Sequence, residues 1–341
     1  AVVLTQKERQ CLYVRDLVLG GYKIAIQQAE RQPVPGPRVA EYLNYPPIVA
    51  VAGTPARTLR LEIKDAPVVP TFPPEQWANV NSFGAKGDGE TDDSVAIQKA
   101  MRSGKPVIYF PSSVYVITNT VEVPATVHRI ELLGASIVRK EWAVERVAFR
   151  IAEKSQHPIL ITDSGNPVPT GIAVPRTVVY RNMSGTIHTW ARPSVDTFLE
   201  NCSHIGHYQS FCIKGQRTWG RGLNNETGAG SHYFINGGAL WVLGFKTQHI
   251  YCPAFEVLDG GRLEVLGGGA NVIQGDLTVA PMIVVKDSEA SVIMFTDATG
   301  PFGNIVEGRK GQNITLRHDQ FPRRFANQPH SLFIPLYYGK P

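Results

Sequence analysis

Apolar and polar residues alternate with a period of two in short runs, and each run is broken at a corner rich in glycine. Tyr233 to Gly244 reads as strand, tight corner, strand. Ala254 to Gly267 has the same layout, and so do Met282 to Phe295 and Asn304 to Leu316. Taking Gly237, Gly260, Ser288 and Lys310 as equivalent corners, the unit recurs at roughly 20–30 residues, the period of a solenoid. Units of that kind bury their apolar sides only against neighbours. Less regular units precede these, at Phe149–Ile161 and at Val178–Thr189.

One segment breaks the strand pattern. After Val80-Asn81-Ser82-Phe83-Gly84-Ala85-Lys86-Gly87-Asp88-Gly89-Glu90-Thr91-Asp92-Asp93 the periodicity changes, and Ala96, Ile97, Ala100 and Met101 fall on one face of a predicted helix. Thr91 or Asp92 suits the helix's free N–H groups, and the acidic cluster suits its positive end. No Gly-Lys-Ser/Thr follows the glycines, which argues against a phosphate-binding loop. The stretch ahead of this segment differs again. Cys11 to Ile26 reads like a coil without predecessors, and the many prolines from Pro33 to Pro74 predict an extended connector.

Composition agrees with a turn-rich, all-β chain. Its 341 residues are 43% hydrophobic and 18% charged, with 32 Gly and 25 Pro. Four cysteines, Cys11, Cys202, Cys212 and Cys252, make neither a disulfide framework nor CxxC metal spacing, and a Cys202–Cys212 bridge stays open. No apolar run is long enough to span a membrane. The net charge of +5 mildly favours acidic partners, and no Lys/Arg block interleaved with aromatics points to nucleic acid.

The segment from Val80 to Met101 resembles the opening motif of the pectate-lyase-like superfamily. The resemblance implies an all-β, right-handed parallel β-helix with a short N-terminal capping helix. It divides the chain into residues 1–32 (the remnant of a preceding β-helix, or an N-terminal strand arm), a Pro-rich linker over 33–75, the β-helix over 76–320, and a C-terminal tail over 321–341. A coil-like segment ahead of a complete β-helix is similar to the C-terminal part of tandem β-helix proteins related to family 55 glycoside hydrolases. Gln216 to Glu226 and Asn236 to Gln248 resemble a second pattern, found in secreted β-helix proteins related to these hydrolases. The chain departs from it at Gly222, Asn225 and Gln248, where the pattern ends on Glu. These resemblances imply a secreted, extracellular, carbohydrate-active protein with a polysaccharide as partner, no cofactor, and self-association or packing on a preceding β-helix. A structural or adhesive fibre and a polysaccharide lyase are the alternatives.

Glycoside hydrolysis needs two carboxyls, about 5 Å apart for retention and about 6.5–9.5 Å apart for inversion. Glu200 and Glu226 are separated by close to one coil, in the richest polar stretch, and are the candidate catalytic pair. The same stretch supplies His204, His207, Tyr208, Lys214, Arg217, Trp219 and Arg221 as candidate substrate-binding residues. Flat aromatic faces and fixed donors are what a sugar ring requires. His204 and His207 lack an obvious third ligand, so no metal is expected.

Overall fold

Ten strands follow one another in chain order along a single sheet, each parallel to its predecessor. They are β1 (Trp77–Asn79), β2 (Val107–Tyr109), β3 (Arg129–Glu131), β4 (Ile159–Thr162), β5 (Val178–Arg181), β6 (Val195–Glu200), β7 (Gln216–Thr227), β8 (Ala239–Thr247), β9 (Arg262–Asn271) and β10 (Glu289–Asp297). The computed structural model describes all residues except 1, 5–10, 29–30, 52–56, 140–146, 185–188, 192–194, 207–209, 228–229, 249–251, 272–279, 298–304, 326–327 and 341. Between these strands the chain passes through further parallel ladders. One is the four-stranded set Val121–Val123, Phe149–Ile151, Thr170–Ile172 and Thr189–Ala191. Another begins Ser210–Ile213, Tyr233–Asn236, Phe255–Leu258, Ile283–Lys286 and Ile305–Arg309. The result is a β-solenoid.

Alternation along each strand decides what enters the lumen. Ile161, Tyr180, Leu199, Gly220, Val242, Val265 and Val292 stand in register on the inward side of β4 to β10, and most are fully buried. Between the long sheet and the next face the chain turns through a left-handed residue in successive coils. Asp163, Asn182, Asn201, Gly222, Gly244 and Gly267 all have φ between 51° and 83°. The side chains bond to one another up the stack, Asn182 Nδ2 donating to Asp163 Oδ1 at 3.0 Å and Asn201 Nδ2 to Asn182 Oδ1 at 2.9 Å. Asn and Gly tolerate this conformation best, which explains the sequence at the corner. The corners expected at Gly237 and Gly260 are likewise left-handed. That near Ser288 falls one position earlier, at Asp287.

The α-helix Ser94–Met101 buries Ile97, Ala100 and Met101 against the core of the first coils. Its N-terminal chemistry differs from expectation in one detail. Asp92 accepts from Ser94 N at 3.0 Å and from Thr118, whereas the buried Asp93 carboxylate turns back to take Lys86 N at 2.6 Å and Gly87 N at 3.2 Å. Asp93 therefore shapes the glycine loop that leads into the helix.

The last unit does not continue the stack. Residues after the Lys310 corner fold back, and Gln312–Leu316 pairs antiparallel with Ile305–Arg309. The C-terminal strand β11 (Gln328–Gly339) pairs antiparallel with β10, from Ala290↔Gly339 to Asp297↔Ser331. The tail thus covers the edge of the final coil, satisfying backbone groups that an open edge would expose.

The N-terminal segment is a small, largely antiparallel unit in which, among the described residues, Val2–Leu4 alone pairs parallel, along Ile24–Gln28. Tyr13–Val18 pairs with Arg38–Leu43, and Ile24–Gln28 pairs with Val34–Pro35, so part of the proline-rich stretch is strand. Ala25, Ile26 and Val39 form its small core. Ile48–Val49 then joins β11 at Tyr337 and Tyr338. From Leu59, bonded to Ser291, to Phe72, packed on His128, the chain crosses the outer face of the long sheet from the last coils back to the first.

Candidate functional site

Three outward rows run up the long sheet, one coil per step. The first holds Asp196, Arg217, Ala239, Arg262 and Glu289. The second holds Leu160, Val179, Phe198, Trp219, Trp241, Glu264 and Ser291. The third holds Arg181, Glu200, Arg221, Leu243, Leu266 and Ile293. The middle row is apolar for five coils on a face that would otherwise meet water. Residues 59–69 cover it: Leu61 is buried with Leu160, Val179, Phe198, Trp219 and Trp241, and Leu59, Ala66 and Val69 pack against the same group.

Polar contacts fix this strap from Leu59 to Asp65. Leu59 N donates to Ser291 Oγ at 3.1 Å and Arg60 N to Glu264 Oε1 at 2.9 Å. Trp219 Nε1 donates to Glu62 O at 2.8 Å, and Arg221 Nη2 donates to Lys64 O at 2.9 Å and to Asp65 Oδ1 at 2.7 Å. Lys64 pairs with Asp196, which also receives Arg217 Nη2 at 2.7 Å. Glu264 is fully buried, and Arg15 of the N-terminal unit reaches it at 2.7 Å while also donating to Leu61 O at 3.0 Å. A carboxylate at such a position needs its partners, because desolvation without them is severe.

This geometry relocates several of the residues expected to bind sugar. Trp219 is 4% exposed, stacked on Phe198 with centroids 5.0 Å apart, and flanked by Lys64 and Arg217. Its ring faces are used by the chain itself. Arg217 and Arg221 likewise hold the strap. Lys214 is exposed at the turn that opens β7, at the opposite end of the strand from Glu226. His207 and Tyr208 lie outside the described residues, and His204 is placed only as part of the strand Ser203–Gly206.

The two candidate carboxylates are not coil equivalents. Glu200 stands opposite Arg221, and Glu226 stands opposite Ile205. The corner at Asn201 and Gly222 lies between them, so they belong to different faces. Their separation in sequence overshoots the true local repeat, which carries Glu200 onto Arg221. Glu200 Oε2 accepts Arg181 Nη2 at 2.6 Å, and Glu226 is paired with Lys246.

Beyond the corner, β7 to β10 present a second set of outward positions. Asn224, Lys246, Gly269 and Phe295 share one row. Asn225, Thr247, Ala270 and Thr296 point inward, which leaves Glu226, Asn271 and Asp297 outward one position on. Because Asn225 and Thr247 are in register, Glu226 and Gln248 follow on adjacent coils, a step of about 4.8 Å. The position where the related pattern ends on Glu is therefore next to Glu226. Inside, Asn225 Nδ2 donates to His232 O at 2.7 Å, and Thr247 bonds the His232 ring, so this fully buried histidine is a packing element of the coil.

Cys202 and Cys212 are not bridged to each other. Both are buried and bonded to carbonyls of their own and neighbouring coils, and burial pushes each thiol up to about 12. The Cys202–Cys212 bridge left open by the sequence is not formed.

A solenoid with a left-handed corner ladder, an outer apolar row under a strap and a polar row beyond the corner defines a parallel β-helix. The family described as rhamnogalacturonase A/epimerase, pectate lyase-like, matches residues 77–146, and with the solenoid this match supports the pectate-lyase-like β-helix superfamily. A curated relative, a probable glucan endo-1,3-beta-glucosidase of Arthroderma benhamiae, is 29% identical over 99 residues, covering 28% of this chain and 10% of its own length. The chain thus spans about a tenth of the curated relative it matches. Among solved structures, ORF18 of Geobacillus virus E2 aligns at a TM-score of 0.39 and 13% identity, over 66% of this chain and 62% of that one. Among the described residues no helix is long and apolar enough to cross a membrane.

Proposed function

We propose that this chain is a glycoside-hydrolase-like β-helix that works on a polysaccharide outside the cell, with Glu226 as its acting carboxylate. One observation carries the reading: Glu226 stands outward beyond the corner, beside Lys246 and one coil from Gln248, on a row whose repeat runs along the stack. Such a row suits a polymer, since successive coils offer polar groups at a fixed step of about 4.8 Å. The superfamily match and the curated relative's printed activity support a carbohydrate ligand. Lys246 gives Glu226 a fixed orientation, and Asn224 on the coil of Glu226 adds a neutral polar group.

Hydrolysis through two carboxyls sets a further condition. Asp297 lies three coils beyond Glu226, about 14 Å, which exceeds the inverting range. Gln248 occupies the nearer place without a charge. The reading therefore predicts weak turnover by this chain and a gain from Gln248→Glu. Incubation with neutral β-glucans and with uronate polymers tests it. Reducing ends that disappear in Glu226→Gln support the proposal. Unsaturated uronate products would make the chain a lyase, and no turnover by wild type or by Gln248→Glu would leave a non-enzymatic β-helix.

A further inference from the structure

A cleft of about 650 Å³ separates the N-terminal antiparallel unit from the third outward row, outside the Glu226 row. That volume is within the range of small-ligand sites. Trp241, Leu266, Met294 and Phe295 provide apolar walls, and Arg15, Asp16, Asp65 and Arg221 provide the charges.

Among the described residues, two groups on its walls lack a hydrogen-bond partner. Trp241 is 2% exposed, and its indole Nε1–H is buried without a hydrogen-bond partner. Arg221 lies over the Trp241 ring at 5.0 Å, and its Nη1 is also buried and unpartnered, although Nη2 is held by Lys64 O and Asp65. A buried donor left unsatisfied bears its full desolvation penalty with nothing to offset it. Two such donors on residues that line one cleft, just beneath its wall, mark a place where oxygen acceptors are missing. Ile63 and Leu243, each about half exposed at the same cleft, can rotate to admit them.

The charges select the ligand. Arg15 is paired with Glu264 and Asp16, and Arg221 with Asp65, so each cation in the cleft is already balanced. An anionic ligand would gain no unpaired cation and would meet Asp16 and Asp65. A neutral ligand with apolar faces and oxygen atoms would satisfy both donors, and its hydroxyls could donate to the two aspartates. A pyranose ring has this chemistry.

We infer that the cleft between the N-terminal unit and the outer face of β7 to β10 binds a neutral saccharide, with Trp241 Nε1 and Arg221 Nη1 as donors to its oxygens. This rests on the reading that the chain engages a polysaccharide, and it narrows that polysaccharide to an uncharged one.

Calorimetric titration of the full chain with a glucose tetramer and with a galacturonate tetramer is the test, because it reads binding and does not depend on turnover. The glucose tetramer should bind and the galacturonate tetramer should not. Trp241→Phe keeps an aromatic ring and removes the N–H, so Kd should rise about tenfold, the worth of one net hydrogen bond. Leu243→Trp, at an exposed position, fills the cleft from its rim and should abolish binding whatever the fate of the first variant. Binding unchanged in both variants, preference for the galacturonate tetramer, or no binding of either sugar overturns the assignment. Binding by a wild-type chain that shows no turnover would count against Glu226 alone.

Discussion

Arg15→Met should undock the N-terminal unit and its strap from the solenoid. Arg15 is 9% exposed and Glu264 0% exposed at the side chain, so their 2.7 Å contact is sealed from water. Methionine keeps much of the arginine's length and removes its charge. Among the described residues, Glu264 would then retain Arg60 N and Ser291 Oγ, neither of which carries a compensating charge. Breaking such a pair from one side costs about 3–5 kcal/mol, because the surviving carboxylate stays buried and unpaired. The strap would lose its Leu61 carbonyl contact as well. Urea denaturation followed by tryptophan fluorescence reads the loss directly, since Trp219 and Trp241 lie under the strap. The double variant Arg15→Met, Glu264→Gln removes both charges and should recover more than half of the loss, giving a clear coupling energy in the mutant cycle. A cost below about 1 kcal/mol for Arg15→Met, or a double variant no more stable than the single one, would refute the claim that this pair holds the strap.

Further outcomes follow from other parts of the molecule. Trp219→Ala should cost about 3–5 kcal/mol in the same denaturation, since a stacked, buried indole is removed and its bond to Glu62 O is lost. Asp88 accepts from Thr91 N, its hydroxyl and Glu90 N, which lower its pKa from 3.8 to about 2. Its stabilising contribution is complete above the unfolded value of 3.8 and is lost as pH falls through 2, so melting curves of wild type and Asp88→Asn should differ at neutral pH and converge near pH 2. Native protein at pH 8 should react slowly with a thiol reagent at Cys202 and Cys212, and all four cysteines should react at once in denaturant. Gln248→Glu should raise reducing-end release above wild type, and adding Glu226→Gln should abolish that gain.

The solenoid was legible because its signals are local. Alternation at Tyr233–Gly244 and the left-handed corners at Gly237 and Gly260 depend only on residues a few positions apart, and the same grammar recurs in each coil. The site was less legible because coil length varies. A uniform repeat makes Glu200 and Glu226 look equivalent, whereas the shorter local coil from β6 to β7 sets Glu200 against Arg221 and a corner separates the two carboxylates. The strap carried a signal of its own: Leu59, Leu61 and Ile63 alternate with Arg60, Glu62 and Lys64 in the middle of a proline-rich stretch. Alternation there fixes an extended segment with one greasy edge, but not the face it covers. That face is chosen by residues far along the chain, from Leu160 to Ser291, and only the folded coils bring them into one row. The same physics explains why tryptophan misled. In sequence, Trp219 is the candidate sugar platform; in the fold, it has given its N–H to the strap, and Trp241 one coil on has not. A platform is distinguished from a packing residue by that unspent donor.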